Sequence, residues 1–238
     1  TVALHYQPPQ FSTYETEKWR SHPLIQKHWP AMQTMLDFPP APKLDIYGKL
    51  DPSKASELEM QGQELFWEGS FGSEYTERNR DLSKEREPFW GQILKLAAPL
   101  QSVCELGANR GENLLALHAL QPDLSLTGVE INAGAVVHLQ TMDGVTGVHA
   151  SIQDFESSAT FDLVYTCGVL IHLNPDDLPS VYDKMARLSN RYVLINEYYN
   201  PQPVEIPYRG HSGKLFKRDF AGEFLDSQAG RFQVVSYG

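Results

Sequence analysis

The chain has 238 residues, 41% of them hydrophobic and 21% charged, which suits one ordinary domain or one domain with an added arm. Twenty Lys and Arg face thirty Asp and Glu, and this net charge of −10 makes nucleic acid and anionic membrane surfaces poor partners. The two cysteines, Cys104 and Cys167, form no CxxC pair or Cys/His cluster at metal spacing, and no apolar run nears the ~20 residues that span a bilayer, so a disulfide scaffold, a structural metal site and a membrane helix are excluded and a cytoplasmic setting is expected.

Residues 1–57 read as an arm. Pro8, Pro9, Pro23, Pro30, Pro39, Pro40, Pro42 and Pro52 break regular structure, leaving room for short helical turns near 13–20 and 23–36. Its aromatics Phe11, Trp19, Trp29, Phe38 and Tyr47 need a surface to pack on, either their own domain or a second copy, so a homodimer through the arm is one expectation. A helix is predicted over 53–67 with Ser53 as its cap, then a glycine-broken stretch over 66–75, then a helix over 83–98. From Gln101 onward short apolar runs alternate with amphipathic ones. Strands are predicted at Ser102–Leu106, Ser125–Glu130, 145–150, 161–166, 191–196 and 232–237, and helices at Glu112–Leu120, 133–142, 176–188 and 217–229. Such alternation means βαβ units and a parallel sheet covered on both faces, within a domain over 58–238.

The most informative stretch is Glu105-Leu106-Gly107-Ala108-Asn109-Arg110-Gly111, where an apolar strand runs into a glycine turn that opens a helix. A dinucleotide loop would read GxGxxG and face a pyrophosphate. Here the spacing is GxxxG, and Glu105 beside it would repel phosphate but suit a cation. Glu130 closes the next strand, where a carboxylate accepts hydrogen bonds from both hydroxyls of a ribose. Asp154 follows the third strand and suits the exocyclic amine of adenine, with Ile152 or Phe155 against the ring. Together these residues describe a pocket for a nucleoside that carries a positive charge and no phosphates, the description of S-adenosylmethionine (SAM).

The same residues resemble the class I SAM-dependent methyltransferases, with Asn109 in place of the usual middle glycine of their first motif. The resemblance implies a Rossmann-like α/β sheet, SAM as cofactor with S-adenosylhomocysteine as product, and cofactor contacts from Glu105, Gly107, Asn109, Gly111, Glu130, Ile131, Asp154, Phe155, Cys167 and a capping Tyr75. A narrower likeness is to methylases associated with pseudaminic acid biosynthesis. It rests on residues 66–79, on Val169-Leu170-Ile171-His172-Leu173-Asn174-Pro175, and on the stretch from Asn196-Glu197-Tyr198-Tyr199 through Tyr208-Arg209-Gly210-His211 to Lys217-Arg218-Asp219-Phe220.

Methyl transfer needs an aligned acceptor and, for a hydroxyl, a base. His172, after the fourth strand, is the first candidate, with His211 next and Glu197 at the end of the fifth strand as a holder of substrate groups. Tyr208, Arg209 and Lys214 belong to a local cationic segment that is expected to bind an acidic substrate. The leading expectation is therefore O- or N-methylation of a small polar, acidic or sugar-like metabolite, and the alternative is a noncatalytic SAM-fold module that scaffolds a partner. A nicotinamide oxidoreductase is opposed by the GxxxG loop and Glu105. The class I sheet resembles seven strands, the last antiparallel, whereas six candidates occur here. The seventh is therefore expected to be missing, with 232–237 at a sheet edge; the favoured explanation is that the native chain continues beyond Gly238, and the others are a strand from a neighbouring subunit or the N-terminal arm covering the gap.

Overall fold

A computed structural model describes residues 2–6, 62–78, 81–97 and 99–237. In chain order its elements are β1 (Val2–Tyr6), α1 (Gln63–Glu68), α2 (Ser70–Arg78), α3 (Ser83–Leu96), β2 (Ser102–Leu106), α4 (Glu112–Leu120), β3 (Ser125–Glu130), α5 (Ala133–Gln140), β4 (Val145–His149), β5 (Phe161–Cys167), α6 (Leu178–Leu188), β6 (Ser189–Asn196), β7 (Val204–Glu205), β8 (Phe216–Lys217), α7 (Phe220–Ser227) and β9 (Gln233–Tyr237).

Seven strands form one sheet in the order β4-β3-β2-β5-β6-β1-β9, and every pairing in it is parallel. Parallel strands are buried on both faces, and alternation along each strand divides the core accordingly. Val103, Leu163, Tyr165 and Leu194 meet Trp90 and Ile93 of α3 and Leu114 and Leu117 of α4. Cys104, Val164, Val193 and Ile195 meet Val181, Tyr182 and Met185 of α6 and Phe220 and Phe224 of α7. This is the expected Rossmann-like arrangement. No described helix is long and apolar enough to cross a membrane.

The sheet corrects the expectation of a missing strand. The slot between β6 and β9 is filled by Val2–Tyr6 from the opposite end of the chain, with Val2 opposite Tyr192 on one side and Gln233 on the other. It runs parallel to both neighbours, so seven strands form within residues 2–237 and β9, at the edge, is paired on one side. Residues 2–6 thus belong to the sheet although the sequence places them in the arm. The glycine-broken stretch is helical on both sides of Gly69, as α1 and α2. The predicted turns at 13–20 and 23–36, the start of the helix at Ser53 and the packing of the arm aromatics lie outside the described residues.

Candidate active site

A cavity of about 680 Å³ opens at the C-terminal ends of β2, β3 and β5, where open α/β sheets bind their ligands. Helices α1 and α2 contribute Gln63, Trp67, Tyr75 and Thr76 to its wall.

The turn after β2 is built by its glycine. Gly107 has φ 77°, and a Cβ there would lie 2.6 Å from Val169 Cγ2, so the left-handed turn and the close approach both need glycine. The amides of Gly107 and Ala108 donate to the carbonyl of Val129 at 2.8 and 2.9 Å, which binds this turn to β3. Asn109 is also left-handed at φ 48°, a conformation asparagine tolerates, and its side chain accepts from Thr76 Oγ1 at 2.8 Å. Gly111 caps α4 without lining the cavity.

Glu105 is almost fully buried at the cavity's inner wall. Its Oε1 accepts from Asn113 Nδ2 at 2.5 Å, Asn113 accepts in turn from Trp90 Nε1 at 3.2 Å, and Oε2 has no hydrogen-bond partner. Burial pushes the Glu105 carboxyl up to about 7, against the side chains of Asn113 and Tyr165 and the Arg86 guanidinium, which favour the ionised form. A cationic ligand group placed there would hold it ionised.

Glu130 ends β3 and is buried. Its two oxygens accept from the backbone amides of Asn109 and Asn132, both at 2.8 Å, so one carboxylate joins the turn after β2 to the start of α5. Each oxygen retains a lone pair for a further donor. Burial raises its pKa, and the amides counter that shift. Asn132 extends the join. Its Oδ1 caps α5 at Ala135 N (3.1 Å), while Nδ2 donates to the Glu68 carbonyl (3.1 Å) and to Ser73 Oγ (3.2 Å), clamping α1 and α2 onto the body.

Beyond β4, exposed Asp154 lines the cavity with Ile152, and Ser151 Oγ donates to its carboxylate at 3.0 Å. Lys184 of α6 holds this loop by donating to the carbonyls of Gln153 and Phe155. Phe155 itself turns into the core and does not line the cavity, because the loop presents Ile152 there instead.

His172 follows β5 in a short 3-10 turn and lines the cavity while 7% exposed. Nδ1 lies 2.7 Å from the carbonyl oxygen of Lys214, which can only accept, so the proton sits on Nδ1 and Nε2 carries a lone pair. Burial lowers the imidazole to about 4 rather than the near-neutral value its residue type suggests. The ring is flanked by Trp67 (centroids 4.4 Å apart) and Tyr208 (5.0 Å).

The other expected catalytic and substrate residues lie behind this wall. Glu197 is 2% exposed and accepts from the amides of Val169 (3.0 Å) and Ile171 (3.4 Å), so it shapes the His172 turn and does not line the cavity. Burial pushes it up to about 7. His211 is buried against Phe66 and Phe71, with ring centroids 5.2 and 5.8 Å away. Tyr208 and His211 exchange backbone hydrogen bonds across a tight turn in which Arg209 is left-handed at φ 50°. Lys214 is buried with Nζ 4.9 Å over the Phe66 ring. None of Tyr208, Arg209, His211 and Lys214 lines the cavity, because these aromatic contacts draw the segment against the back of His172.

Ile131, Tyr75 and Cys167 do line it. Burial pushes the Tyr75 hydroxyl up to about 12 and the Cys167 thiol up to about 11, so neither ionises near neutral pH. Three participants escaped the sequence reading. Asn113 stood just past the glycine turn, Asn132 carried the signal of an N-cap before an apolar helix, and Arg86 gave no signal because tertiary structure alone brings α3 to β2.

Residues 103–191 match a family model described as a methyltransferase domain. Three solved structures are similar to the chain. The plantazolicin methyltransferase BpumL in complex with S-adenosylhomocysteine is 16% identical, with a TM-score of 0.49 and 62% of each chain covered. CalS10, an amino pentose methyltransferase from Micromonospora echinaspora involved in calicheamicin biosynthesis, was solved with SAM bound and is 15% identical, with a TM-score of 0.46 and coverage of 59% of this chain and 61% of that one. Streptomyces venezuelae DesVI is 13% identical, with a TM-score of 0.44 and 67% and 66% covered. The chain thus spans 62% of the length of BpumL. No curated protein matches it.

Proposed function

We propose, from the premise of a methyltransferase domain over 103–191, that this protein transfers a methyl group from SAM to an oxygen or nitrogen of a small hydroxylated metabolite. The observation that carries this reading is the set of carboxylates Glu105, Glu130 and Asp154, which lie at or beyond the C-terminal ends of three adjacent strands and line one cavity. The residues fit the cofactor. Glu130 keeps a lone pair on each oxygen for the two ribose hydroxyls, Asp154 suits the adenine amine, and the partnerless Oε2 of Glu105 suits the methionine ammonium. Bound there, SAM supplies an electrophilic methyl group on a sulfonium.

The chain's own contribution is alignment and a proton acceptor. Neutral His172, with Nδ1 committed to Lys214, offers Nε2 to a hydroxyl or ammonium proton of the acceptor. Trp67 and Tyr208 hold its ring in place, and the walls displace water from the reacting atoms.

The acceptor reads best as neutral or amine-bearing. Arg209 and Lys214, the residues meant for an acidic substrate, do not line the cavity, whereas Gln63, Trp67 and Asn174 do. These neutral polar and aromatic groups suit a hydroxylated ring, which supports the sugar-like half of the sequence expectation over the acidic half. Isothermal titration with SAM, S-adenosylhomocysteine and NAD, followed by mass spectrometry of metabolite extracts incubated with methyl-labelled SAM, tests the reading. It predicts binding of the two adenosyl ligands only and label transfer to a small molecule. Binding of the two without transfer to any metabolite would favour a noncatalytic module.

A further inference from the structure

We propose that Arg86 is the carboxylate anchor of the cofactor's amino-acid end, an inference that rests on SAM being the cofactor. Arg86 lies on α3, half-buried, and lines the cavity. Among the described residues its guanidinium has no hydrogen bond or ion pair. The other cavity arginine, Arg110, is held by Glu77 at 3.1 Å. A guanidinium has five N–H donors and keeps its charge in proteins, so one left half-buried with no counter-ion is suited to an incoming anion.

The electrostatics locate it. Arg86 favours the ionised forms of Glu105, Tyr75, Tyr165 and Cys167, whereas the shift of His172 owes nothing to it and arises from burial and the Lys214 carbonyl. Arg86 also stands one helical turn before Trp90, whose indole donates to Asn113, the partner of Glu105, and so belongs to the Glu105 end of the cavity. An α-amino acid presents an ammonium and a carboxylate on one carbon, and a Glu105–Arg86 pair presents the complementary charges. The two side chains make no ion pair with each other, so each is left for the ligand.

The experiment titrates the wild type, Arg86→Met and Arg86→Lys with S-adenosylhomocysteine and with 5′-methylthioadenosine, which shares the nucleoside and thioether but lacks the amino acid. We expect Arg86→Met to lose roughly 10–100-fold in affinity for S-adenosylhomocysteine, the size of a charge-assisted bidentate contact, and to bind 5′-methylthioadenosine as the wild type does. Arg86→Lys keeps the charge without the fork and falls between. Unchanged affinity for S-adenosylhomocysteine in Arg86→Met overturns the assignment, as does that result with a raised acceptor KM, which would give the carboxylate to the acceptor. If Arg86→Met binds neither ligand, Arg86→Lys decides: selective weakening of S-adenosylhomocysteine supports the anchor, and equal weakening of both overturns it. A wild type that binds neither ligand defeats the SAM reading itself, a result distinct from all of these.

Discussion

Nδ1 of His172 donates to the carbonyl oxygen of Lys214 across 2.7 Å, and this one bond selects the tautomer of the imidazole. It also gives the cationic segment a role other than the one its charges suggest. Lys214 acts through its main chain, Tyr208 through its ring, and both support a histidine that faces the cavity.

His172→Ala should lower turnover by roughly 10²–10⁴-fold while affinity for S-adenosylhomocysteine stays near that of the parent. Because burial holds the imidazole near 4, its neutral form persists through the physiological range, and its contribution to kcat should stay level from pH 8 down to about 5 before falling as the ring protonates. A kcat that halves near the ordinary histidine pKa of about 6.5 would place the proton acceptor elsewhere.

Glu130→Ala removes the acceptor for two backbone amides and the acceptor proposed for the ribose. The expected cost is at least about 1–3 kcal/mol in SAM binding, read by titration. Parent-like affinity would show that the ribose lies elsewhere.

Glu105 sets a pH dependence of its own. Its folded pKa is raised to about 7, so the protonated form dominates below that value and the carboxylate above it. Affinity for S-adenosylhomocysteine should climb from pH 6 towards 7.5 as the carboxylate forms, and decline only at higher pH, where the ligand's α-ammonium loses its proton. 5′-Methylthioadenosine has no ammonium and should show a flat profile. In the unliganded protein the sign is opposite for stability. A raised carboxyl pKa favours the native state most below the unfolded value and loses that advantage as pH rises through about 7, so Tm should fall between pH 5 and 8.

Glu197→Ala should act at a distance. It leaves the amides of Val169 and Ile171 unpaired beneath His172, so kcat should drop together with Tm while SAM affinity is largely kept. A loss confined to acceptor KM would restore Glu197 to the substrate.

Gly72→Ala tests the clamp on α1 and α2. An added Cβ would fall 1.7 Å from the Trp67 carbonyl oxygen and 3.2 Å from Asn132 Nδ2, so α1 must shift from its seat. Both SAM affinity and kcat/KM should suffer, because Trp67 lines the cavity and Asn132 is hydrogen-bonded to Glu130.

What could be read from sequence was whatever local chemistry decides. β2, α4 and β3 coincide with their predicted ranges because an apolar strand, a glycine turn and a short Leu- and Ala-rich helix each declare themselves within a few residues. Glu105, Glu130 and Asp154 were legible for the same reason, as acids at or just beyond the C-terminal ends of strands. The partition of the second rank was not legible. Glu197 and His211 are residue types fit for chemistry, and only packing decides that one cups backbone amides and the other joins an aromatic cluster. The strand at Val2–Tyr6 was hidden by the prolines that follow it and by partners at the far end of the sequence.

That strand bears on how the protein comes to fold. Val2 must find Tyr192, and Ala3 must find Val234, so this strand completes the sheet only by pairing with partners that lie far from it in sequence. Pairings of such sequence separation are closed late, since the entropy of the intervening loop is lost before any contact compensates for it. Until then the far side of β6 is an open edge, able to pair with the wrong strand or with another chain, and β9 has no neighbour at all. Refolding of this protein should therefore be slow and sensitive to concentration, with the docking of β1 between β6 and β9 setting the pace.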